Sequence, residues 1–296
     1  MSEPSQRIRV PGPGGRALDV VVAGPVGGDV VLAHHGTPGS ALLLQKQVGE
    51  GASRGLRHVS YSRPGYGDSD RAPGRTVADC AADAGAVLDA VGAEACVTTG
   101  WSGGGPHALA CAALLGDRVR AVASIAGVAP HDAEGLDWSA GMGEENIEEF
   151  ATARGGEPEL LPWLRAEAST FGRVTGPELA QAFGGLVDEV DRAALTGQVA
   201  EEVSAQIREA LRNDVWGWLD DDLAFLRPWG FHLGAISVPV TIWQGGQDRM
   251  VPEAHGPWLA SHVAGAKARF DARHGHISLV TDDYGEVLDD LVAAAG

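Results

Sequence analysis

The sequence predicts an α/β protein: an eight-stranded, mostly parallel sheet flanked by helices, with one helical insertion. Three observations carry this. Short apolar runs alternate with helical segments, as repeated βαβ units require. The run Asp29–His34 (DVVLAH) is apolar almost throughout, which suits a strand covered on both faces rather than a half-solvated one. The stretch from about Pro130 to Ile236 breaks the alternation: it is helix-like, acidic in places, without strand-like runs, and holds five of the eight tryptophans (Trp138, Trp163, Trp216, Trp218 and Trp229).

Arg7–Val10 and Leu18–Ala23 read as a starting hairpin across the turn-rich segment Pro11–Gly15. Asp29–His34 and His58–Ser62 follow as strands. The alanine-rich segment Thr76–Val91 has apolar positions at helical spacing and reads as a helix. Ala95–Thr99 is a strand and Gly105–Leu115 a helix. Val119–Ala126, Val238–Gln244 and Ala268–Ala272 complete eight strands, and Ser278–Ala295 closes the chain as one helix. The organisation expected is a core of residues 1–130 and 237–296, split by an insertion over 131–236.

Composition bounds the partners. Of 296 residues, 44% are apolar and 21% charged, enough to build a sizeable core. Forty acidic residues against 22 Lys and Arg give a formal net charge of −18, which repels phosphate backbones and anionic lipid, so neither nucleic acid nor a membrane surface is expected as a partner. Met1–Val10 is polar and lacks the apolar run of a secretory signal. No apolar stretch approaches the roughly 20 residues of a membrane span. Cys80, Cys96 and Cys111 are odd in number and widely spaced, as for buried free thiols. No Cys/His cluster has metal-ligand spacing. A soluble cytoplasmic protein without metal or cofactor is the expectation.

The central motif is Gly100-Trp101-Ser102-Gly103-Gly104, a GxSxG between the strand ACVTTG and the helix GPHALACAALL. Strand-turn-helix is the context in which such a serine becomes a nucleophile. A turn this sharp tolerates few neighbouring side chains, so Gly100 and Gly104 flank it. It lifts the hydroxyl clear of the sheet. It also sets the Gly103 N–H at a helix N-terminus, where a developing oxyanion is stabilised.

His34-His35-Gly36-Thr37-Pro38-Gly39 follows a buried strand directly. With this HGxP loop and the GxSxG motif together, the chain resembles the α/β-hydrolase family. The resemblance implies a second oxyanion donor, the Thr37 N–H, with His35 and Gly36 holding the loop. Arg63-Pro64-Gly65-Tyr66-Gly67-Asp68-Ser69 is similar to a loop of the same family that shapes the turn beneath the site. Gly245-Gly246-Gln247-Asp248-Arg249-Met250-Val251-Pro252, after a late strand, resembles its acid turn and puts Asp248 at the acid position. Asp132, soon after Val119–Ala126, is a rival. Gly275-His276-Ile277-Ser278-Leu279 resembles the family's GHxSL and selects His276 as base, with His274 as the alternative. The order Ser102, Asp248, His276 is the one this fold uses.

The resemblance covers the segments before about Pro130 and after about Ser237. It implies acyl transfer: Ser102 as nucleophile, His276 as general base, Asp248 orienting the base, Thr37 and Gly103 holding the oxyanion. Trp101 supports the turn. A serine hydrolase of a small carboxylic ester or lactone is the first expectation, with a small-molecule, uncharged or apolar acyl substrate. An aminopeptidase similar to proline iminopeptidases is the second, weakened by HGTPG and GWSGGG standing where those carry HGGPG and GGSWGS. Clustered acids such as Glu144, Glu145, Glu148 and Glu149 could bind a substrate amine. A ligand-binding or receptor protein retaining the fold is the third. Dehalogenases and epoxide hydrolases need Asp where this chain has Ser102. The acidic runs of the insertion otherwise read as solvated helix faces.

Overall fold

The computed structural model describes residues 5–296. The polar N-terminal stretch begins with residues 1–4, which lie outside the described residues. The eight expected strands form β1 (Gln6–Pro11), β2 (Ala17–Ala23), β3 (Asp29–His34), β4 (Leu56–Tyr61), β5 (Cys96–Trp101), β6 (Val119–Ile125), β7 (Val240–Gly245) and β8 (Lys267–Asp271). They build one sheet in the order β1-β2-β4-β3-β5-β6-β7-β8. The pairs β1–β2 and β2–β4 are antiparallel, and the remaining neighbours are parallel.

The helices are α1 (Gln45–Ser53), α2 (Cys80–Ala90), α3 (Gly104–Leu114), α4 (Glu144–Ala153), α5 (Glu157–Phe171), α6 (Gly176–Ala182), α7 (Glu189–Ala194), α8 (Gly197–Ala210), α9 (Trp216–Phe225), α10 (His255–His262), α11 (His276–Asp282) and α12 (Tyr284–Ala295). Period-two alternation sends Leu32, Val122 and Ile242 to the face covered by α2, α3 and α10. Their neighbours Val31, Ala123 and Trp243 go to the face covered by α12. With both faces buried, the central strands have no polar side to show, which is why their sequences read as continuous apolar runs.

The chain leaves β3 for β4 on one side and then returns past β3 to β5 on the other. The loops after β3 and β5 therefore diverge from the carboxyl ends of neighbouring strands and open a crevice there. Register pairs His34 with Gly100, so the two glycine-rich loops emerge side by side.

Between β6 and β7 the chain carries α4 to α9 and no sheet strand. These helices have their own core, including Leu160, Leu164, Leu179, Val203 and Leu219. Trp138, Phe225 and Trp229 join the core of the sheet instead. Two helix expectations are corrected. The segment expected as one helix over Ser278–Ala295 is two, parted at Asp283 (φ −99°, ψ 5°). The break turns Tyr284 inward, where its hydroxyl meets His58 Nε2 at 2.9 Å. The helix expected from Thr76 begins instead as a 3-10 turn over Val77–Asp79, with the Thr76 N–H donating to the Asp79 carboxylate at 2.7 Å. All three cysteines are free and buried. No helix among the described residues is long and apolar enough to cross a membrane.

Candidate active site

Ser102 sits in the turn between β5 and α3 with φ +57°, a left-handed conformation that strains a non-glycine residue. Its N–H donates to the Ile125 carbonyl at 2.9 Å, which pins the turn to β6. A Cβ at Gly100 would overlap the Gly104 carbonyl, and one at Gly104 would overlap the His34 carbonyl. Both flanking glycines are therefore a steric requirement of the turn.

The loop after β3 lies against it. A Cβ at Gly103 would overlap Thr37 Oγ1. The N–H groups of Thr37 and Gly103 donate to no protein acceptor among the described residues. Arg63, buried after β4, holds this loop. It donates to the His35 carbonyl at 2.5 Å, the Gly36 carbonyl at 3.0 Å and Thr37 Oγ1 at 3.1 Å. Its charge is met by Asp221 at 2.6 Å, on α9 of the insertion. Asp221 also takes Arg75 at 2.7 Å, the Tyr66 hydroxyl at 2.9 Å and Thr37 Oγ1 at 2.8 Å. Burial pushes the Asp221 carboxyl upward, but Arg63 and Arg75 outweigh it and hold it well below the usual carboxylate range. His35 braces the same loop, with Nδ1 on the Gly36 carbonyl at 2.7 Å and Nε2 accepting from the Arg63 N–H at 3.0 Å. Burial and the nearby Arg63 charge push its pKa well down, so it stays neutral. The Arg63–Tyr66 loop thus does more than shape a turn.

Asp248 follows β7 and His276 opens α11 after β8. Asp248 Oδ2 lies 2.7 Å from His276 Nδ1, and both side chains are buried. The Met250 and Val251 N–H groups donate to Oδ1 at 2.9 and 2.8 Å, which fixes the carboxylate plane. With Nδ1 bound to a carboxylate, Nε2 is left as the free face of the ring. Burial lowers the His276 pKa, but the charge and hydrogen bond of Asp248, with the charge of Asp191, outweigh it. The pKa therefore lies above its ordinary value. The indole of Trp101 donates to the His276 carbonyl at 3.1 Å, with the rings 5.3 Å apart.

Asp191, on α7 of the insertion, belongs to an acidic run that in sequence reads as a solvated helix face. It is fully buried. Its Oδ2 accepts from the His276 N–H at 2.7 Å; its Oδ1 accepts from the N–H groups of Ile277 (3.0 Å) and Ser278 (2.9 Å) and from Ser278 Oγ (3.0 Å). It caps the first turn of the helix that carries the imidazole, with a negative charge at the positive end of the helix.

Ser102, His276, Gly36, Thr37 and Gly103 line one cavity of about 140 Å³. Its roof belongs to the insertion. Of the five tryptophans there, Trp163 and Trp218 line it. Trp138 and Trp229 pack in the core, and Trp216 stacks under Arg71 and Arg165. The acidic run before Phe150 divides by helical period: Glu144 and Glu148 are exposed, whereas Glu145 and Glu149, four residues apart, face the cavity.

The rivals fall elsewhere. Asp132 is exposed on the turn after β6. His274 Nε2 lies 3.4 Å from Asp283. Among the described residues, one group has ligand atoms close enough for a metal ion: Asp271, His274 and Asp283, half-buried and not part of the cavity lining. Asp271 there already holds Arg273 at 2.6 Å.

A sheet of this order with a strained serine after β5 defines a hydrolase scaffold of the α/β class. The family described as alpha/beta hydrolase fold matches residues 29–283, and the chain belongs to it. An alpha/beta hydrolase fold protein from Nakamurella multipartita is 27% identical, with 98% of this chain and 100% of that one covered at a TM-score of 0.63. The esterase EaEST from Exiguobacterium antarcticum shares the fold at 18% identity, with 98% and 99% covered and a TM-score of 0.70. A curated relative from Variovorax paradoxus (strain S110), named "Putative carbamate hydrolase RutD", is 37% identical over 90 residues, 30% of this chain. The match spans only 34% of that relative's length.

Proposed function

We propose that the protein is a serine-dependent hydrolase that cleaves a small carboxylic ester or lactone through an acyl-enzyme. The observation that carries this reading is the buried 2.7 Å contact between Asp248 and His276, with His276 lining the same cavity as a strained Ser102. In this mechanism His276 Nε2 takes the Ser102 proton as Oγ attacks the carbonyl carbon. The oxyanion forms against the Thr37 and Gly103 N–H groups. Their freedom from other acceptors suits them to it: donors already aimed need no reorganisation, and losing one such donor costs roughly 10²–10³ in rate. The imidazolium, stabilised by Asp248, then protonates the leaving oxygen. Water completes the cycle by the same route and regenerates Ser102. The insertion, residues 131–236, forms the unit that covers the substrate.

A fluorophosphonate tests this directly. It labels the wild type at Ser102, mapped by mass spectrometry, and leaves Ser102→Ala unmodified. An unlabelled wild type overturns the reading in favour of a binding protein on this fold. A carbamate is the second reading, favoured by the curated relative; it presents the same carbonyl to the same groups. Short p-nitrophenyl esters, a p-nitrophenyl carbamate and a proline anilide rank the ester, carbamate and aminopeptidase chemistries. Turnover of the anilide alone sinks the first choice.

A further inference from the structure

The cavity carries charge that the proposed acyl transfer does not use. Glu145, Glu149, Glu167 and Asp222 all line it, and no Lys or Arg does. Asp222 is 1% exposed, yet neither of its carboxylate oxygens has a donor among the described residues. Oε2 of Glu145 is likewise buried without one. Glu149 takes one donor, the Trp218 indole N–H at 2.6 Å. A buried carboxylate without a partner is costly, and native proteins supply a donor or a cation. Glu149 and Asp222 are neighbours whose charges oppose one another. Burial pushes Glu149 up to about 7 against its hydrogen bonds, and burial with the Glu149 charge pushes Asp222 well above its usual range.

The walls around these carboxyls are aromatic. Phe171 packs against Trp218 with ring centroids 6.3 Å apart and against Phe183 at 5.8 Å. Trp163 and Trp218 also face the space. A carboxylate without donors beside one that takes a single donor, both set among aromatic faces, matches an organic ammonium better than a bare metal ion. The faces attract a diffuse cation, and the apolar rings offer no ligand atoms. The acids lie on α4, α5 and α9. Asp222 directly follows Asp221, which holds Thr37, so the acidic wall and the oxyanion loop belong to one substrate site.

We infer that the cavity binds substrates carrying an ammonium group, seated between Glu149 and Asp222 against the Trp218–Phe171 wall. This deepens the hydrolase reading and rests on it only in calling the ligand a substrate. It replaces the expectation of an uncharged one.

The test is binding, so it does not depend on turnover. Ser102→Ala protein is titrated calorimetrically with 3-hydroxyphenyltrimethylammonium and with its neutral isostere 3-tert-butylphenol. The cation is expected to bind at least about tenfold tighter, the scale of a desolvated cation–aromatic contact with carboxylate support. The same titration on the Ser102→Ala/Glu149→Gln/Asp222→Asn variant is expected to bring the ratio close to one. The first arm needs no change at the acids, so poor folding of the second variant cannot hide the result. Equal binding, weaker binding of the cation, or no measurable binding of it overturns the inference. So does a preference that survives in a folded acid variant. Cation binding together with failed phosphonate labelling sinks the hydrolase reading alone.

Discussion

Replacing Asp191 with asparagine tests whether the insertion positions the imidazole. The change is nearly isosteric. The amide oxygen can keep the Oδ1 role, accepting from Ile277, Ser278 and Ser278 Oγ at 2.9–3.0 Å. The amide NH₂ then faces the His276 N–H, which now sits 2.7 Å from Oδ2. That N–H is left buried and unpaired, at a cost of about 1–3 kcal/mol. Loss of the charge at the start of α11 adds about 0.3–2 kcal/mol. A loss of about 3 kcal/mol follows, read by urea denaturation. The function should change in a way that simple destabilisation would not. The Asp191 charge raises the His276 pKa, and catalysis needs the neutral ring. Removing the charge therefore moves the acid limb of kcat/KM to lower pH, while kcat/KM on its plateau falls about 10–100-fold from misplacement. A variant with an unmoved acid limb and near wild-type kcat/KM would refute the positioning argument, whatever its stability.

Other outcomes follow from the same geometry. In the wild type, the raised His276 pKa puts the acid limb of kcat/KM above the ordinary histidine value of about 6.5; a limb below that value counts against Asp248 and Asp191 outweighing burial. Asp248→Asn should lower kcat roughly 10⁴-fold, the loss known for the corresponding change in serine proteases, as the wrong tautomer is held. Steady-state kinetics checks it, and a drop under about tenfold rules out the orienting role. Asp221→Asn strips the buried Arg63 and Arg75 of their shared counter-charge and should cost about 3–5 kcal/mol by chemical denaturation. Gly104→Ala drives a methyl into the His34 carbonyl; a stability loss of about 1–3 kcal/mol is expected with reduced phosphonate labelling, since β3 must yield.

The central strands were legible because strands buried on both faces advertise themselves as apolar runs, whereas the edge strands β1 and β8 are mostly exposed and carry a weaker signal. Ser102 was legible because its turn demands glycine on both sides, and glycine is visible in sequence. Asp248 and His276 were legible as residues after late strands in motifs similar to the family's; their 2.7 Å approach needs the folded sheet. What sequence hid lies in the insertion. Asp191 and Asp221 look like any acid on an amphipathic helix, and nothing local says that their partners sit far along the chain, at His276 and Arg63. Glu149 could have been set apart from Glu148 by helical period, but only once the buried face of α4 was known. The break at Asp283 has Gly285 two residues on, but that glycine lies inside the next helix and so does not mark the stop.

The two acids that tie the insertion down have a consequence for its movement. Asp221 fastens it over Thr37, and Asp191 fastens it over the backbone of His276. A flap secured at both margins cannot swing aside without undoing the very contacts that keep the imidazole and the Thr37 loop in place. Moving the insertion aside would therefore carry the cost of those buried charge contacts, so the cover and the site it covers are held by the same few bonds.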